Sequence, residues 1–345
     1  MAYTTINKHT AYFNTVTYTG NGGTNAITGV GHQPDFTWLK RRDASGNHNL
    51  YDAVRGVTKY LESSATSPEQ TQSAGLTAFG TDGFTLGDNA NMNGNGNSFV
   101  SWNWKAGAGQ GTSNTDGTIN TTYTSVNTTA GFSISKYTGT GSAATVGHGL
   151  GAAPKMIMYK RLDSADDWTI YHSFLGATKK ADLNNTSAPS TNSTVFNDTA
   201  PTTSVMSVGT NGRTNGSSGS YIAYAFAEKT GFSKFGSFRG DGSNNGPFVY
   251  TGFKPAFVVT RKDGSDGWHM FDNKRDANNP EVHRLEADSS GGDYTGLSAG
   301  WMDFLSNGFK IRYNGGGINA DGSDYFYFAF GQTLVGNNNI PVTAR

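Results

Sequence analysis

The chain has no cysteine among its 345 residues. Disulfides, thiolate metal sites and cysteine nucleophiles are therefore excluded, and the redox compartment is left open. Charge is scarce as well: Asp, Glu, Lys and Arg make up 15% of the residues, against roughly 25% in typical soluble domains. The two signs cancel to a formal net charge of zero, which leaves no electrostatic footprint for nucleic acid or an anionic membrane. No apolar run approaches the roughly 18 residues that mark a membrane-spanning helix. The N-terminal stretch MAYTTINKHTAYFNT reads as lacking the apolar h-region of a secretory signal. Heptads for a coiled-coil shaft are missing too.

What is abundant is glycine, at 47 residues, together with asparagine, threonine and serine. A polar, uncharged, turn-rich composition suits many short strands joined by loops and argues against helical bundles. Aromatic residues make up 12% of the chain and recur in alternating runs, so there is apolar surface to bury and disorder is disfavoured. Asn-x-Ser/Thr triplets at Asn120, Asn127 and Asn192 read as accidents of this composition rather than glycosylation sites.

One pattern is written three times. PDFTWLKRRD (34–43), PKMIMYKRLD (154–163) and PAFVVTRKD (255–263) each start on proline, run apolar, and close on two basic residues at the sixth and seventh positions after it. Upstream of each lies an aromatic, one residue, then Gly-x-Gly, beginning at Tyr18, Tyr137 and Phe238. Downstream come HNLYDAVRG (48–56), WTIYHSFLG (168–176) and WHMFDNKRD (268–276), then FVSWNW (99–104), YIAYAF (221–226) and YFYFAF (325–330). Repeats of about 100 residues are whole domains, too long for solenoid units. The expected organisation is all-β, with three tandem homologous β-sandwich or jelly-roll-like domains at 1–106, 131–228 and 229–331. Residues 107–130 form a linker or an extra hairpin, and 332–345 a C-terminal tail running over the surface or reaching a neighbour. The four-residue link 227–230 between the second and third units implies a fixed relative orientation.

Alternation inside the blocks says which faces are buried. Val100/Trp102/Trp104, Ile222/Tyr224/Phe226 and Phe326/Phe328/Phe330 are apolar throughout, so that face lies on a core. The opposite set, such as Phe99/Ser101/Asn103, is smaller and more mixed, which predicts a half-buried closing strand. The proline-led strands are apolar on both faces, as a central strand requires, and proline is tolerated at a strand's first residue. Six or seven strands per unit are expected, with turns at Asp82-Gly83 and Asn307-Gly308. Short helices are expected only around 52–62 and its counterparts.

Chemistry is sparsely signalled. The seven histidines (His9, His32, His48, His148, His172, His269 and His283) show no HExxH or other close pairing, so zinc has no support. His32 and His148 sit in similar Gly-His contexts and read as turn or packing residues. DGSNNG (241–246) resembles the start of a calcium loop, but its twelfth position is Gly252 where a bidentate glutamate is required. It reads, like Asp263–Asp266 and Asp321–Asp324, as a tight turn. No P-loop and no GxSxG elbow occurs, and no pair of acids is nominated for glycoside hydrolysis. The recurring basic pairs Lys40/Arg41, Lys160/Arg161 and Arg261/Lys262 suggest either a triplicated anion or glycan contact or, preferably, strand ends with one solvated and one cross-strand-paired residue. Trp168 and Trp268, aligned with His48, read as core more than as sugar-stacking platforms. No catalytic, cofactor-binding or metal-binding residue is nominated, no cofactor is expected, and any ligand-binding residues stay unknown.

YTGNGGTNAITGVGHQPDFTWLKRRD, LYDAVRGVTKYL, DGFTLG and SWNWKAG, with GFSISKYTGTGSAATVGHGLGAAPKMIMYKR, GFSKFGSF and FLSNGFKI, resemble a repeated β-domain of marine tailed-bacteriophage virion structural (tail-fibre-like) proteins. The resemblance runs from about residue 11 to 331 and is weakest in the third unit, where the basic pair and loops differ. It implies a non-enzymatic protein on the virion surface, made in the host cytoplasm, as a tail appendage or a capsid decoration. Its partners would be other virion proteins, with a homo-oligomeric or pseudo-threefold arrangement and no nucleic acid or membrane insertion. The alternative reading is a carbohydrate-binding module that recognises a host-surface glycan.

Overall fold

The computed structural model describes residues 4–297 and 299–332. Residues 1–2 and, past Gln332, the tail expected to cover the surface lie outside the described residues. Among the described residues strand dominates, and the helices are four single turns and one 3-10 turn.

The three segments build main sheets with the same antiparallel order. In the first, Phe13–Thr19 pairs with the closing strand Ser98–Trp104, which pairs with the proline-led Phe36–Arg41, which pairs with Asn49–Asp52. The second runs Phe132–Thr138, Ser220–Phe226, Met156–Arg161, Thr169–His172. The third runs Ser233–Arg239, Asp324–Gln332, Lys254–Lys262, His269–Asp272. A small outer sheet covers one face of each: Asn25–Ile27 with Gly83–Leu86 and Leu76–Gly80, Ala144–Gly147 with Val205–Val208, and Phe248–Tyr250 with Gly308–Ile311 and Met302–Leu305. Two-residue strands such as Lys59–Tyr60 and Ser190–Thr191 take the segments past the six or seven expected.

The closing strand is central, not half-buried. It returns to lie between the first and proline-led strands, so both its faces are covered. Ser101 and Ala223, small and fully buried, are what fits on the face turned away from the larger aromatics. The region 52–62 is a turn rather than a helix, because the Asp52 carboxylate accepts from the Arg55 N–H at 2.8 Å and closes the loop locally. Pro34 and Pro154 precede their strands, whereas Pro255 lies inside Lys254–Lys262, where the pairing is bulged between Pro255 and Phe257.

Alternation sends the two faces of each main sheet to different cores. Leu39, Ile157/Tyr159 and Val258 pack under their own outer sheets in three separate clusters. Phe36/Trp38, Met156/Met158 and Phe257/Val259 point the other way and join one continuous core drawn from all three segments. The last aromatics of the three closing strands meet there: Trp104 to Phe226 at 6.3 Å between ring centroids, Phe226 to Phe330 at 5.9 Å, and Trp104 to Phe330 at 5.7 Å. Truncating one such ring to alanine costs about 3–5 kcal/mol.

The Gly-x-Gly turns are held by three buried asparagines at the ends of the one-turn helices Ala90–Asn93, Gly212–Asn215 and Gly316–Asn319. Asn93 Oδ1 accepts from the Asn21 N–H, Asn215 Oδ1 from Thr140 and Asn319 Oδ1 from Asp241, at 2.8–3.0 Å. A Cβ on Gly20, Gly139 or Gly240 would run into the carbonyl of Gly94, Gly216 or Ala320, so the first glycine is a steric requirement. In the 107–130 stretch, Tyr123–Asn127 adds a strand beside Phe132–Thr138. Its start is held by the buried Asp35 carboxylate, which accepts from the N–H groups of Ala106, Ala108 and Gly109.

Candidate functional site

The recurring polar residues of the three segments come together where one segment meets the next. Lys40, Lys160 and Arg261 stand on the inward face of the proline-led strands, two residues past Trp38, Met158 and Val259, and are almost wholly buried. Each reaches out of its own segment. Lys40 Nζ donates to the Ser290 carbonyl at 3.1 Å and to its own neighbour Arg41 O at 2.9 Å. Lys160 Nζ donates to Thr66 O at 2.9 Å and Asp166 O at 2.6 Å, and Arg261 donates to Asn185 O and Ser187 O. The expected cross-strand pairing is thus replaced by contact with the neighbouring segment. Burial pulls both lysines down to about 8, a pull that the charge of Asp293 opposes at Lys40 and those of Asp166 and Asp167 oppose at Lys160. The second basic residue is the surface one: Arg41 and Arg161 pair with Asp43 and Asp163.

The same three crossings carry His48, Trp168 and Trp268. Trp168 Nε1 donates to Glu62 O and Trp268 Nε1 to Asp182 O, both at 2.8 Å. In the first segment Trp38 Nε1 donates to His48 Nδ1 at 2.7 Å, which leaves Nε2 as the N–H that meets Glu286 O at 3.0 Å. Burial, with Lys40 nearby, holds the His48 ring well below its ordinary pKa, so it is neutral. Backbone bonds repeat the rule: Gly46 N–H to Ser290 O, Asp166 N–H to Thr66 O, and Asp266 N–H to Thr186 O. Each set runs in one direction, first segment to third, second to first, third to second, and closes into a ring.

Deeper in two of these joints lies a charged group that the sequence alone did not single out. The fully buried Asp52 and Arg55 are in direct contact, as are Asp272 and Arg275 at 2.6 Å. Each arginine also faces a second acid, Glu69 and Asp293 respectively. Each aspartate takes one more donor from the neighbouring segment: Tyr224 OH to Asp52 Oδ2 at 2.7 Å, and Trp102 Nε1 to Asp272 Oδ2 at 3.1 Å. The third joint has none of this. His172, Leu175 and Pro189 occupy the corresponding places, and Phe328, with no donor, stands where Trp102 and Tyr224 stand. His172 accepts from the Phe174 N–H and bonds Tyr327 O through Nε2 at 3.1 Å, and burial takes it to about 4. The signal for these groups lay in the D-x-x-R spacing of LYDAVRG and MFDNKRD, broken in IYHSFLG.

The remaining sequence candidates are structural. His32 lies against Thr10 O and His148 against Thr202 O, each beside its turn. His269 lies between Asp266 and Glu286; burial pulls its pKa down, but hydrogen bonds to both acids leave it above its ordinary value. The Asp241–Gly246 loop turns its Asp241 carboxylate onto the Ser243 N–H and Asn319 Nδ2. Among the described residues no three His, Cys, Asp or Glu side chains converge as a metal-binding set, and no helix is long and apolar enough to cross a membrane. What the recurring residues build is a set of joints. Some exposed large apolar side chains flank the joints, such as Phe174 and Tyr294, whereas Phe248 and Tyr250 stand 45% and 60% exposed on the outer sheet of the third segment.

A family model described as "Domain of unknown function (DUF7483)" matches residues 8–333. The chain belongs to that family, and the match treats the three segments as one unit. No curated protein matches the chain.

Proposed function

We propose that the chain is a non-enzymatic structural protein on the surface of a bacteriophage virion, as a tail appendage or a capsid decoration, and that its three segments are copies of one ancestral domain. Its partners on this reading are other virion proteins. The observation that carries it is the closed three-way ring of contacts. Such a body imitates a trimer and fits a threefold or quasi-threefold position on a particle. The block resemblance to virion proteins points the same way. Quantitative mass spectrometry of purified virions tests it: absence of the protein from the particle sinks the reading. A copy number comparable to the major capsid protein makes it a shell decoration, and a few copies per particle put it on the tail.

Phe248 and Tyr250 favour a second reading, recognition of a host-surface glycan. Two exposed rings two residues apart on one strand form a platform of the kind that stacks on sugars. The corresponding outward positions in the first segment are Ala26 and Thr28, so the platform belongs to the third alone. On a glycan array the wild type is expected to bind and F248A/Y250A to lose the signal; no binding by the wild type removes this reading.

A further inference from the structure

The third segment departs from the other two between its partner strand and the next short strand. From Asp52 to Leu61 and from His172 to Ala181 the numbering advances by nine, but from Asp272 to Leu285 by thirteen. Two segments close the same turn without the four additional residues, so the fold does not require them. The longer loop carries Glu281, which is 1% exposed. Its backbone is tied to the outer sheet, N–H to Met302 O at 2.8 Å and its carbonyl accepting from Trp301 N–H at 2.8 Å. That anchoring fixes the side chain inward, where Oε2 is buried with no hydrogen-bond partner.

A second orphan lines the same space. Asn273 Oδ1 is also buried without a donor, and Asn273 and Glu281 share the wall of a cavity of about 90 Å³ with Asp276, Asn278, Asn279 and Lys254. One water needs about 10–15 Å³ on this measure, so there is room for an ion and its waters. Both orphaned atoms are oxygens, and both call for a positive or donating occupant. The charges that act on Glu281 are the carboxylates Asp276 and Asp272 and the cations Arg275 and Lys254. Arg275 is already shared by Asp272 and Asp293, and with Glu281 ionised the group is net negative.

We propose that this cavity is a cation site, with Glu281 Oε2 and Asn273 Oδ1 as direct ligands and the remaining positions filled by water and neighbouring oxygens. One carboxylate, amide oxygens and water are the donor set of a hard ion of calcium type, which tolerates irregular geometry, whereas magnesium demands a near-ideal octahedron. Without an ion, burial and the two aspartates push the Glu281 carboxyl up to about 10. The site is independent of where the protein acts, so it stands or falls apart from the virion reading.

The test compares full-length wild type with E281Q, both freed of metal with a chelator, at pH 7.5. Calcium chloride is expected to raise the unfolding midpoint of the wild type by a few degrees with saturation, by linkage, and to leave E281Q unmoved. Potassium chloride at matched ionic strength is the control. An equal calcium response in both proteins, or none in the wild type at millimolar calcium, overturns the site. Should E281Q fail to fold, N273L takes its place: the calcium-dependent rise of the wild type is expected to be lost in it, and an equal rise in both proteins overturns the proposal.

Discussion

Two of the three joints hold an aspartate–arginine pair with no side-chain exposure, and the third has no such pair at the corresponding places. Where the second segment docks on the first, Asp52 and Arg55 sit at zero side-chain exposure and Tyr224 completes the aspartate's bonds. Where the third docks on the second, His172, Leu175 and Phe328 fill the same places with a neutral ring and two apolar side chains. The difference is concerted: the acid, its arginine, the facing acid and the incoming donor have all gone together. A buried charge group is tolerable only complete, because each missing partner leaves an uncompensated charge or an unpaired donor in a low-dielectric interior. An apolar replacement of the whole group is often neutral in stability. The third joint still carries Arg261 on the Asn185 and Ser187 carbonyls and the Lys179–Asp263 ion pair, so what it shows is that the buried aspartate–arginine group is not needed to hold two segments together.

The comparison is broken most severely by removing one member of a complete group. Arg275→Ala leaves the fully buried Asp272 with the Trp102 N–H and backbone donors but no counter-charge, and is expected to cost about 3–5 kcal/mol in urea unfolding. Arg55→Ala is expected to do the same at Asp52. The variant D52H/R55L/E69Q/Y224F removes the whole charged group, as in the third joint, and is expected to recover most of that loss. If it unfolds as easily as R55A, the two kinds of joint are not alternatives and the comparison fails. A smaller effect isolates the incoming donor. Tyr224→Phe removes one hydrogen bond to a charged, buried acceptor and is expected to cost about 1–3 kcal/mol. In the D52H/R55L background the same change is expected to cost far less, since the acceptor has gone; equal costs in both backgrounds would mean that the hydroxyl acts through something other than Asp52.

Period-two alternation and the recurring blocks made the all-β sheets legible, because strand faces are written locally as every second residue. The closing strand reads as half-buried from its sequence for a physical reason. Ser101, Asn103, Ala223 and Ala225 look like a half-exposed face, yet small side chains also suit a face covered closely by a second sheet. Which holds depends on where the strand inserts, and that is a long-range fact. The joints were hidden for a related reason. The partners of Lys40, Lys160 and Arg261 are main-chain carbonyls, which leave no residue-type signature. The donor role of His48 became readable only through Trp38, whose indole fixes the imidazole tautomer. Glu281 could have been noticed as an acid inside the one longer loop, but its burial could not.

The lysines offer the finest test of the ring, because two joints titrate and the third does not. In the folded protein burial brings Lys40 and Lys160 down to about 8, while in the unfolded chain they hold their protons to about 10.4. Between those values the unfolded state binds more protons, so stability rises with pH. Below about 8 both states are protonated and the cost of the two buried charges is fully present and constant. The rise ends near pH 10, where unfolded tyrosines ionise but buried ones such as Tyr224, pushed up by burial, do not; stability falls beyond that point. The gain between pH 8 and 10 is expected to be about 1 kcal/mol per lysine once solvent access is allowed for. Arg261 has its pKa lowered by burial but keeps its proton throughout this range. K40R/K160R, which makes all three joints alike, is therefore expected to flatten the profile between pH 8 and 10. A wild-type profile that already falls steadily across that range would show that the lysines keep their protons in the joints, held there by the carbonyls despite burial.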